Sequence, residues 1–221
     1  MDKDFIASIL DEYGFNEEDK VLKLEKYLNL LILINKNINL VSSKNESDIL
    51  NVQLRDSLEF FKIVDYKNED GIKLIDIGSG SGFPAVPIGI VMDKWQITLI
   101  ESIRKKANFL INVTTVINSS NIKVINDRSE NLAKKAGFMK NYDIVTARWV
   151  AKSDLLIPLL APFVKPNGQI ILWKDPEELK NLNGFEIEKV HNHIVKGITR
   201  FLVSIKPTEN EFYGRVNVSQ N

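Results

Sequence analysis

One short segment constrains the fold of this chain more than any other, the glycine-rich stretch Gly78-Ser79-Gly80-Ser81-Gly82. It follows an apolar run, Ile72 to Ile77, that is typical of a buried strand, and it precedes a helical stretch near 84–93. A doubly wound α/β sheet binds its ligand at such a turn, where glycines let the backbone approach and the next helix offers free N–H groups. A turn without a ligand is the alternative, but three glycines in five residues favour a binding loop.

Beyond Gly71, short β-rich runs alternate with helical stretches. The predicted strands cover 72–77, 96–100, 122–125, 142–147, 169–173, 185–190 and 199–205, and the predicted helices lie near 84–93, 103–118, 129–137 and 151–164. This alternation predicts right-handed βαβ units and a mostly parallel sheet. The last two strands are joined by a short polar link, His191 to Gly197, which predicts an antiparallel pair at the sheet edge.

The first 70 residues show helical spacing and no strand signal. Apolar residues recur from Phe5 to Tyr13, and Asn16 and Ser47 are candidate N-caps of two further helices. The fold class is therefore α/β, Rossmann-like, with a mostly parallel sheet, antiparallel edge strands and a small helical extension. We expect two regions, the extension at 1–70 and the sheet domain at 71–221.

Composition excludes several classes of function. The 221 residues include no cysteine and two histidines, so thiol chemistry and disulfides are excluded, and we expect no metal site. The apolar run from Leu28 to Ile34 is too short to span a bilayer, and residues 1–4 do not resemble a signal peptide. We therefore expect a cytoplasmic protein with no membrane contact, and nothing demands more than a monomer.

The balanced charge, 29 basic against 29 acidic residues, hides an asymmetry. Residues 1–72 carry 9 basic and 15 acidic side chains, whereas residues 73–221 carry 20 and 14. A positive face on the larger region could meet a polyanion, although ordinary surface composition also produces differences of this size.

The loop spacing indicates which nucleoside ligand it takes. Dinucleotide sites have G-x-G-x-x-G, but here Phe83 stands at the third glycine position, and Asp76 lies two residues before Gly78. A carboxylate there would repel a pyrophosphate and attract an ammonium group, which favours S-adenosylmethionine over a nicotinamide cofactor. Glu101, at the end of the second strand, could accept both ribose hydroxyls; the alternative is a solvated acid.

Motifs along the chain resemble one bacterial family, the small-subunit ribosomal RNA guanine-N7 methyltransferases, also called glucose-inhibited division protein B. The resemblance covers roughly residues 20–207. It rests on Asp76 through Pro84 with Pro87, Leu99 to Ser102 with Lys105, Lys106, Phe109 and Leu110, Asn35, Asn39-Leu40, Asp56-Ser57, Arg128, Glu130, Ala147-Arg148, Lys174, and Arg200 to Val203 with Lys206.

The resemblance implies a class I methyltransferase that uses S-adenosylmethionine on one guanine of 16S ribosomal RNA, either as RNA or in an assembling small subunit. The implied cofactor residues are Asp76, Gly78, Ser79, Gly80, Gly82, Phe83, Glu101, Ser102, Ser129, Glu130 and Arg148. Arg148 and Lys174 are the implied catalytic residues. Asn39, Asp56, Trp149, Arg200 and Lys206 are the candidate RNA contacts.

Several positions depart from the family pattern. Gln53 replaces a histidine, Asp175 a glycine, Trp149 a small residue, Ala85 a glycine and Ile34 a tryptophan. These departures keep two alternatives open: a methyltransferase for a small molecule or protein, or a cofactor-binding paralogue with weakened catalysis.

The residues suit transfer to guanine N7, which carries a free lone pair and needs no general base. A bidentate arginine on O6 and N7 would block the acceptor. Our hypothesis is that Arg148 or Lys174 contacts O6 or a phosphate instead. For Arg148 the alternative is an ion pair with a nearby acid, and for Trp149 it is core packing rather than base stacking.

Overall fold

A seven-stranded sheet forms the centre of the computed structural model, which describes residues 2–41, 45–66, 70–148, 153–179, 182 and 184–208. The strands are β1 (Lys73–Ile77), β2 (Gln96–Ile100), β3 (Ile122–Ile125), β4 (Tyr142–Ala147), β5 (Val164–Trp173), β6 (Phe185–Val195) and β7 (Ile198–Pro207). The helices are α1 (Lys3–Asp11), α2 (Glu18–Asn35), α3 (Glu46–Asp48), α4 (Arg55–Leu58), α5 (Ala85–Val91), α6 (Arg104–Val116), α7 (Ser129–Leu132) and α8 (Ser153–Leu160).

The strand order is β3-β2-β1-β4-β5-β7-β6, and the first five strands of this order are parallel. In the register of β1, Ile77 lies opposite Ile100 of β2 and Ala147 of β4. The residues that follow these three therefore meet at one edge of the sheet. β7 pairs antiparallel with β5 and β6, which confirms the predicted fold class and edge pair.

The N-terminal helices pack onto one face of the sheet and share its core. Leu24, Leu28 and Leu31 of α2 are fully buried and belong to the same hydrophobic cluster as Leu110 of α6. Tyr27 donates a hydrogen bond of 2.9 Å to the carbonyl of Ser81 in the glycine loop. The extension and the sheet therefore share one hydrophobic cluster. The division of the chain into two domains at residue 70 stays a prediction.

A continuous helical run links α3 to the sheet and changes its pitch twice. A π-helical turn (Ile49–Leu54) follows α3, and a 3-10 turn (Glu59–Lys62) follows α4.

No helix among the described residues is long and apolar enough to cross a membrane.

Several predicted boundaries are wrong. β6 continues to Val195, so His191 and His193 lie in a strand rather than in the link, which consists of Lys196 and Gly197 alone. Ser47 lies inside α3, and the cap of α2 is Glu17 rather than Asn16. α7 is a single turn, and β5 begins at Val164. Much of β6 is exposed, which masks the alternation that identifies a strand with one buried face.

Gly89 of α5 allows this helix to approach the sheet closely. A Cβ at this position would lie 2.8 Å from Cδ1 of Ile122 and 2.9 Å from Cγ1 of Ile97, whereas one at Gly137 would meet nothing within 4 Å. We expect Gly89→Ala to lower the free energy of unfolding by about 1–3 kcal/mol through overpacking, despite the better helix propensity of alanine. Urea unfolding measures this, with Gly137→Ala as the control, and equal stability of the two variants would contradict the close packing.

Candidate functional site

Three charged side chains meet where β1, β2 and β4 end. Asp76 lies in β1 one residue before its end, whereas Glu101 and Arg148 directly follow β2 and β4. Their exposed fractions are 1%, 5% and 7%, respectively. The parallel register therefore assembles two carboxylates and a guanidinium in a buried position, as expected at the carboxyl edge of an open sheet.

The glycine loop turns tightly beside these groups. The N–H groups of Gly78 and Ser79 donate to the carbonyl of Ile100 at 2.8 and 3.0 Å, which anchors the loop to β2. Gly82 has a φ of 101°, and a Cβ there would lie 2.7 Å from Cγ2 of Val86. Both the backbone conformation and the space therefore require glycine at this position.

Glu101 holds the loop on its other side. Its Oε2 accepts the N–H of Gly80 at 2.8 Å, and its Oε1 accepts the N–H of Ile103 at 2.7 Å. A solvated acid would be exposed, so the burial of Glu101 argues against that alternative. Each carboxylate oxygen has a second lone pair, which leaves acceptor capacity for hydroxyl groups of a ligand.

Asp76 carries an unusual carboxyl group. Its Oδ1 accepts a hydrogen bond of 2.7 Å from the Thr146 hydroxyl, but its Oδ2 is buried without a partner among the described residues. Burial raises the pKa of Asp76 to about 7, even though the hydrogen bond from Thr146 and the nearby Arg148 lower it. Such a group is suited to a positively charged ligand, which would replace the missing partner.

Arg148 is the third member of this group. Its Nη2 lies 2.5 Å from Oδ2 of Asp56, so the ion pair that sequence analysis kept as an alternative is present. None of its three side-chain nitrogens, however, makes a hydrogen bond of good geometry within the part of the chain that the structure describes. Burial lowers the pKa of this arginine, and Asp56 opposes the effect. The guanidinium therefore keeps donors for a ligand.

A cavity of about 430 Å³ lies against the glycine loop and Arg148, whereas Asp76 and Glu101 are not among the residues that line it. The lining residues are Leu40, Val41, Gln53, Gly78, Ser79, Gly80, Ser81, Phe83, Lys106 and Arg148. The helical extension supplies the wall at Leu40 and Val41, whose N–H groups donate to Oδ1 of Asn35 at 2.7 and 2.9 Å. A larger cavity, about 700 Å³, lies at the opposite ends of β1 and β4, away from the buried charges. The smaller cavity is the candidate site, because the glycine loop and the buried guanidinium of Arg148 line it.

The remaining predicted cofactor residues border the same edge. Ser102 is exposed directly after Glu101. Ser129 is buried at the start of α7, and its hydroxyl donates to Glu130 at 3.1 Å, while Glu130 itself is exposed. The cofactor roles of these three residues stay predictions.

The predicted catalytic and RNA residues are more scattered. Lys174 follows β5, next to the end of β4, and pairs with Glu178 at 2.8 Å. Asn39 is exposed near the cavity wall, and Arg200 lies 3.4 Å from Asp56. Lys206 lies at the other end of β7, near Glu186 and Glu188, and is not brought to the site. Trp149 lies outside the described residues.

Sequence reasoning missed a cluster of polar side chains beside Asp56. Both histidines and Glu59 place possible metal-ligating atoms within 4.8 Å of one another. Most of these groups already have partners: Glu59 accepts from Tyr13 at 2.7 Å and contacts His191 at 2.6 Å, and Nε2 of His193 contacts Asp56 at 2.8 Å, while Nδ1 of His193 is buried without a partner among the described residues. The signal was present in the sequence, because His191 and His193 are two residues apart and would share one face of a strand.

Comparison with known proteins gives a consistent result. The GidB family, described as rRNA small subunit methyltransferase G, matches residues 20–207. The ribosomal RNA small subunit methyltransferase G of Carboxydothermus hydrogenoformans is 31% identical over 217 residues, which cover 93% of this chain and 91% of the relative. The protein of the same name from Clostridium perfringens is 34% identical over 181 residues, or 81% of this chain and 75% of the relative.

Solved structures show the same fold at low identity. MtNAS in complex with MTA and tNA has a TM-score of 0.58 at 13% identity, covering 94% of this chain and 82% of that protein. TYW2 of M. jannaschii in complex with AdoMet has a TM-score of 0.51 at 15% identity, covering 64% and 72% of the two chains. These similarities support the class I methyltransferase fold.

The raised pKa of Asp76 predicts how stability depends on pH. Because burial raises this pKa from its ordinary 3.8 to about 7, the folded protein holds the proton more tightly than the unfolded chain. The carboxyl therefore costs stability that is absent below about pH 4 and fully present above about pH 7.

We expect the free energy of unfolding of Asp76→Asn, taken relative to wild type, to increase by on the order of 4 kcal/mol when the pH is raised from about 4.5 to about 8. Urea unfolding at both pH values measures the difference. A difference between variant and wild type that does not change with pH would show that Asp76 has an ordinary pKa in the folded state.

Proposed function

The chain belongs to the GidB family of rRNA small subunit methyltransferase G proteins, and we propose that it methylates guanine N7 of 16S ribosomal RNA at the cavity beside the glycine loop. It is an S-adenosylmethionine-dependent methyltransferase of ribosomal RNA. The observation that carries the assignment of the site is the buried pair of unsatisfied groups, Oδ2 of Asp76 and the guanidinium of Arg148, at the carboxyl edge of the sheet.

These groups fit the cofactor. S-adenosylmethionine carries an ammonium group, a carboxylate and a ribose, and it supplies an electrophilic methyl group on a sulfonium. Asp76 would bind the ammonium group through its unpaired Oδ2, and Arg148 would bind the carboxylate. Glu101 would accept the ribose hydroxyls with the lone pairs that the loop N–H groups leave free. The absence of a side chain at Gly78 and Gly80 leaves the backbone open to the ligand.

The protein has little proton chemistry to perform. Guanine N7 accepts a methyl group through its own lone pair, so the residues need only align acceptor and donor and exclude water. Lys174 stands one strand from Arg148 at the same edge, since Ala147 of β4 pairs with Leu172 of β5. Lys174 can contact O6 or a phosphate as a point charge, which leaves N7 free.

A basic segment beside the cavity suits the RNA backbone. Arg104, Lys105 and Lys106 begin α6, three residues after Glu101, and the first two are exposed. Lys106 also lines the cavity. Side chains placed there would contact phosphates next to the base being methylated, with displacement of counterions from the RNA.

The form of the RNA substrate, the oligomeric state and the cellular location of the protein belong to the same proposal. The substrate is the RNA of the small subunit, as free RNA or in an assembling particle, and the protein acts as a monomer in the cytoplasm. Transfer to N7 requires no metal ion, because neither a base nor a Lewis acid is needed to expose the lone pair.

Methyl transfer from labelled S-adenosylmethionine to unmodified 16S RNA, and to small subunits, tests the function. We expect label in RNA at one guanine, and borohydride followed by aniline should cut the product there because N7-methylguanine is cationic. Label on another atom of the base would contradict the proposed acceptor, and label in protein or small molecules alone would contradict the substrate.

Glu101→Gln tests the cofactor contacts. We expect the KM for S-adenosylmethionine to rise about 10- to 100-fold, since one carboxylate holds both hydroxyls, while kcat changes little. Steady-state kinetics measure both, and Glu18→Gln, an exposed residue of α2, is the matched control. An unchanged KM would place the ribose elsewhere.

The double variant Arg104→Gln/Lys105→Gln tests the phosphate contacts. We expect weaker RNA binding and a slope of log K against log salt that is smaller by about 1–2, because each contact releases counterions. Filter binding over a salt series measures this, with Lys26→Gln/Lys94→Gln as a control of equal charge. If only the control changed the slope, the RNA would lie on another face.

A further inference from the structure

The carboxylate of Asp56 is the meeting point of four structural elements. It is fully buried in α4, within the helical extension. Its Oδ2 lies 2.5 Å from Nη2 of Arg148 and 3.4 Å from Nη1 of Arg200, and its Oδ1 lies 2.8 Å from Nε2 of His193. The carbonyl of the same residue accepts a hydrogen bond of 2.8 Å from Nε1 of Trp173 in β5.

This arrangement indicates what Asp56 does. A buried carboxylate is costly unless it has donors and a compensating charge; here His193 and Arg200 provide the donors, and the guanidinium of Arg148 provides a positive charge at 2.5 Å. A completely buried carboxylate has no surface to offer to RNA, whereas its contact with Arg148 is direct. Asp56 is therefore placed to orient Arg148, which lines the cavity, while Asp56 itself does not.

The contact with His193 restrains the orientation of the Asp56 carboxylate. A carboxylate can only accept, so Nε2 of His193 carries the proton in their hydrogen bond. The imidazole is held in place by the hairpin, in which His193 pairs with Arg200 across β6 and β7, and its side chain is only 11% exposed. With Oδ1 occupied by His193, Oδ2 is left for the two arginines.

We propose that His193 is a positioning residue for the methyl-transfer site, which acts through Asp56 to hold Arg148 towards the cofactor cavity. His193 is not among the residues that line the cavity. Its effect passes through two contacts, from Nε2 to Oδ1 and from Oδ2 to Nη2. This inference rests on the proposed function, in which Arg148 binds the cofactor.

The chain contains a matched control for this residue. His191 lies on the same face of β6, its ring is parallel to that of His193 within 9°, and the ring centroids are 6.0 Å apart. It also contacts a carboxylate, but the partner is Glu59, at 2.6 Å. Loss of either imidazole removes one contact between β6 and the helical extension, and only His193 is connected to Arg148.

Three variants test the proposal: His193→Ala, His193→Gln and His191→Ala. We expect His193→Ala to raise both the Kd and the KM for S-adenosylmethionine by about 10- to 100-fold, because Arg148 loses its alignment. His193→Gln should recover most of the affinity, since its amide N–H can reach Oδ1. His191→Ala should stay within about twofold of wild type.

Calorimetry with S-adenosylmethionine gives the affinity without RNA, and urea unfolding records the stability of each variant. Wild-type affinity in His193→Ala would overturn the proposal, and so would equal losses in the two alanine variants, since these would indicate a general structural role. If the wild-type protein binds S-adenosylmethionine but leaves RNA unlabelled, only the proposed substrate is contradicted. The affinities of the variants for S-adenosylmethionine, compared with that of wild type, would still decide the role of His193.

Discussion

The ion pair between Asp56 and Arg148 connects the two parts of the molecule. Asp56 comes from the helical extension and Arg148 from the end of β4, and both are almost completely buried. Separating them would leave a desolvated charge on each side, which costs several kcal/mol per ion. The pair therefore fixes the extension over the sheet at the point where the cofactor cavity opens, and the walls of that cavity come from both parts.

The carboxyl edge of the sheet retains polar groups that folding alone leaves without hydrogen bonds. Oδ2 of Asp76 and the nitrogens of Arg148 are buried without good hydrogen bonds, an arrangement that lowers the stability of the protein without ligand. In the proposed complex a zwitterionic ligand would remove both penalties at once, with its ammonium group at Asp76 and its carboxylate at Arg148. Burial raises the pKa of Asp76 to about 7, and in the proposed site its carboxylate would favour the ammonium group of S-adenosylmethionine over a pyrophosphate.

The success of prediction from sequence differed between elements. Strands β1 to β4 were located to within a residue, because each is a short, mostly buried apolar run bounded by turn residues. The length of β6 was wrong, since an edge strand with polar residues on both faces has no periodic signal. The cap of α2 was also wrong, because Glu17 begins this helix without a side-chain hydrogen bond, and so was that of α3, because Asn45 rather than Ser47 accepts the N–H of Asp48 at 2.8 Å. Asp56 was identified as important, but as an RNA contact rather than as the buried partner of Arg148.

The sequence by itself determined the family, the cofactor class and the strand-end position of the site, because these depend on local spacing: the acid before the glycines, the glycines themselves and the acid after β2. Only the tertiary structure decided which charges meet. Asp56, Arg148, His193 and Arg200 lie on four elements separated by up to 144 residues, and their contacts follow from strand order and the packing of the extension. No local pattern encodes such contacts, because each residue alone is equally consistent with a solvated surface.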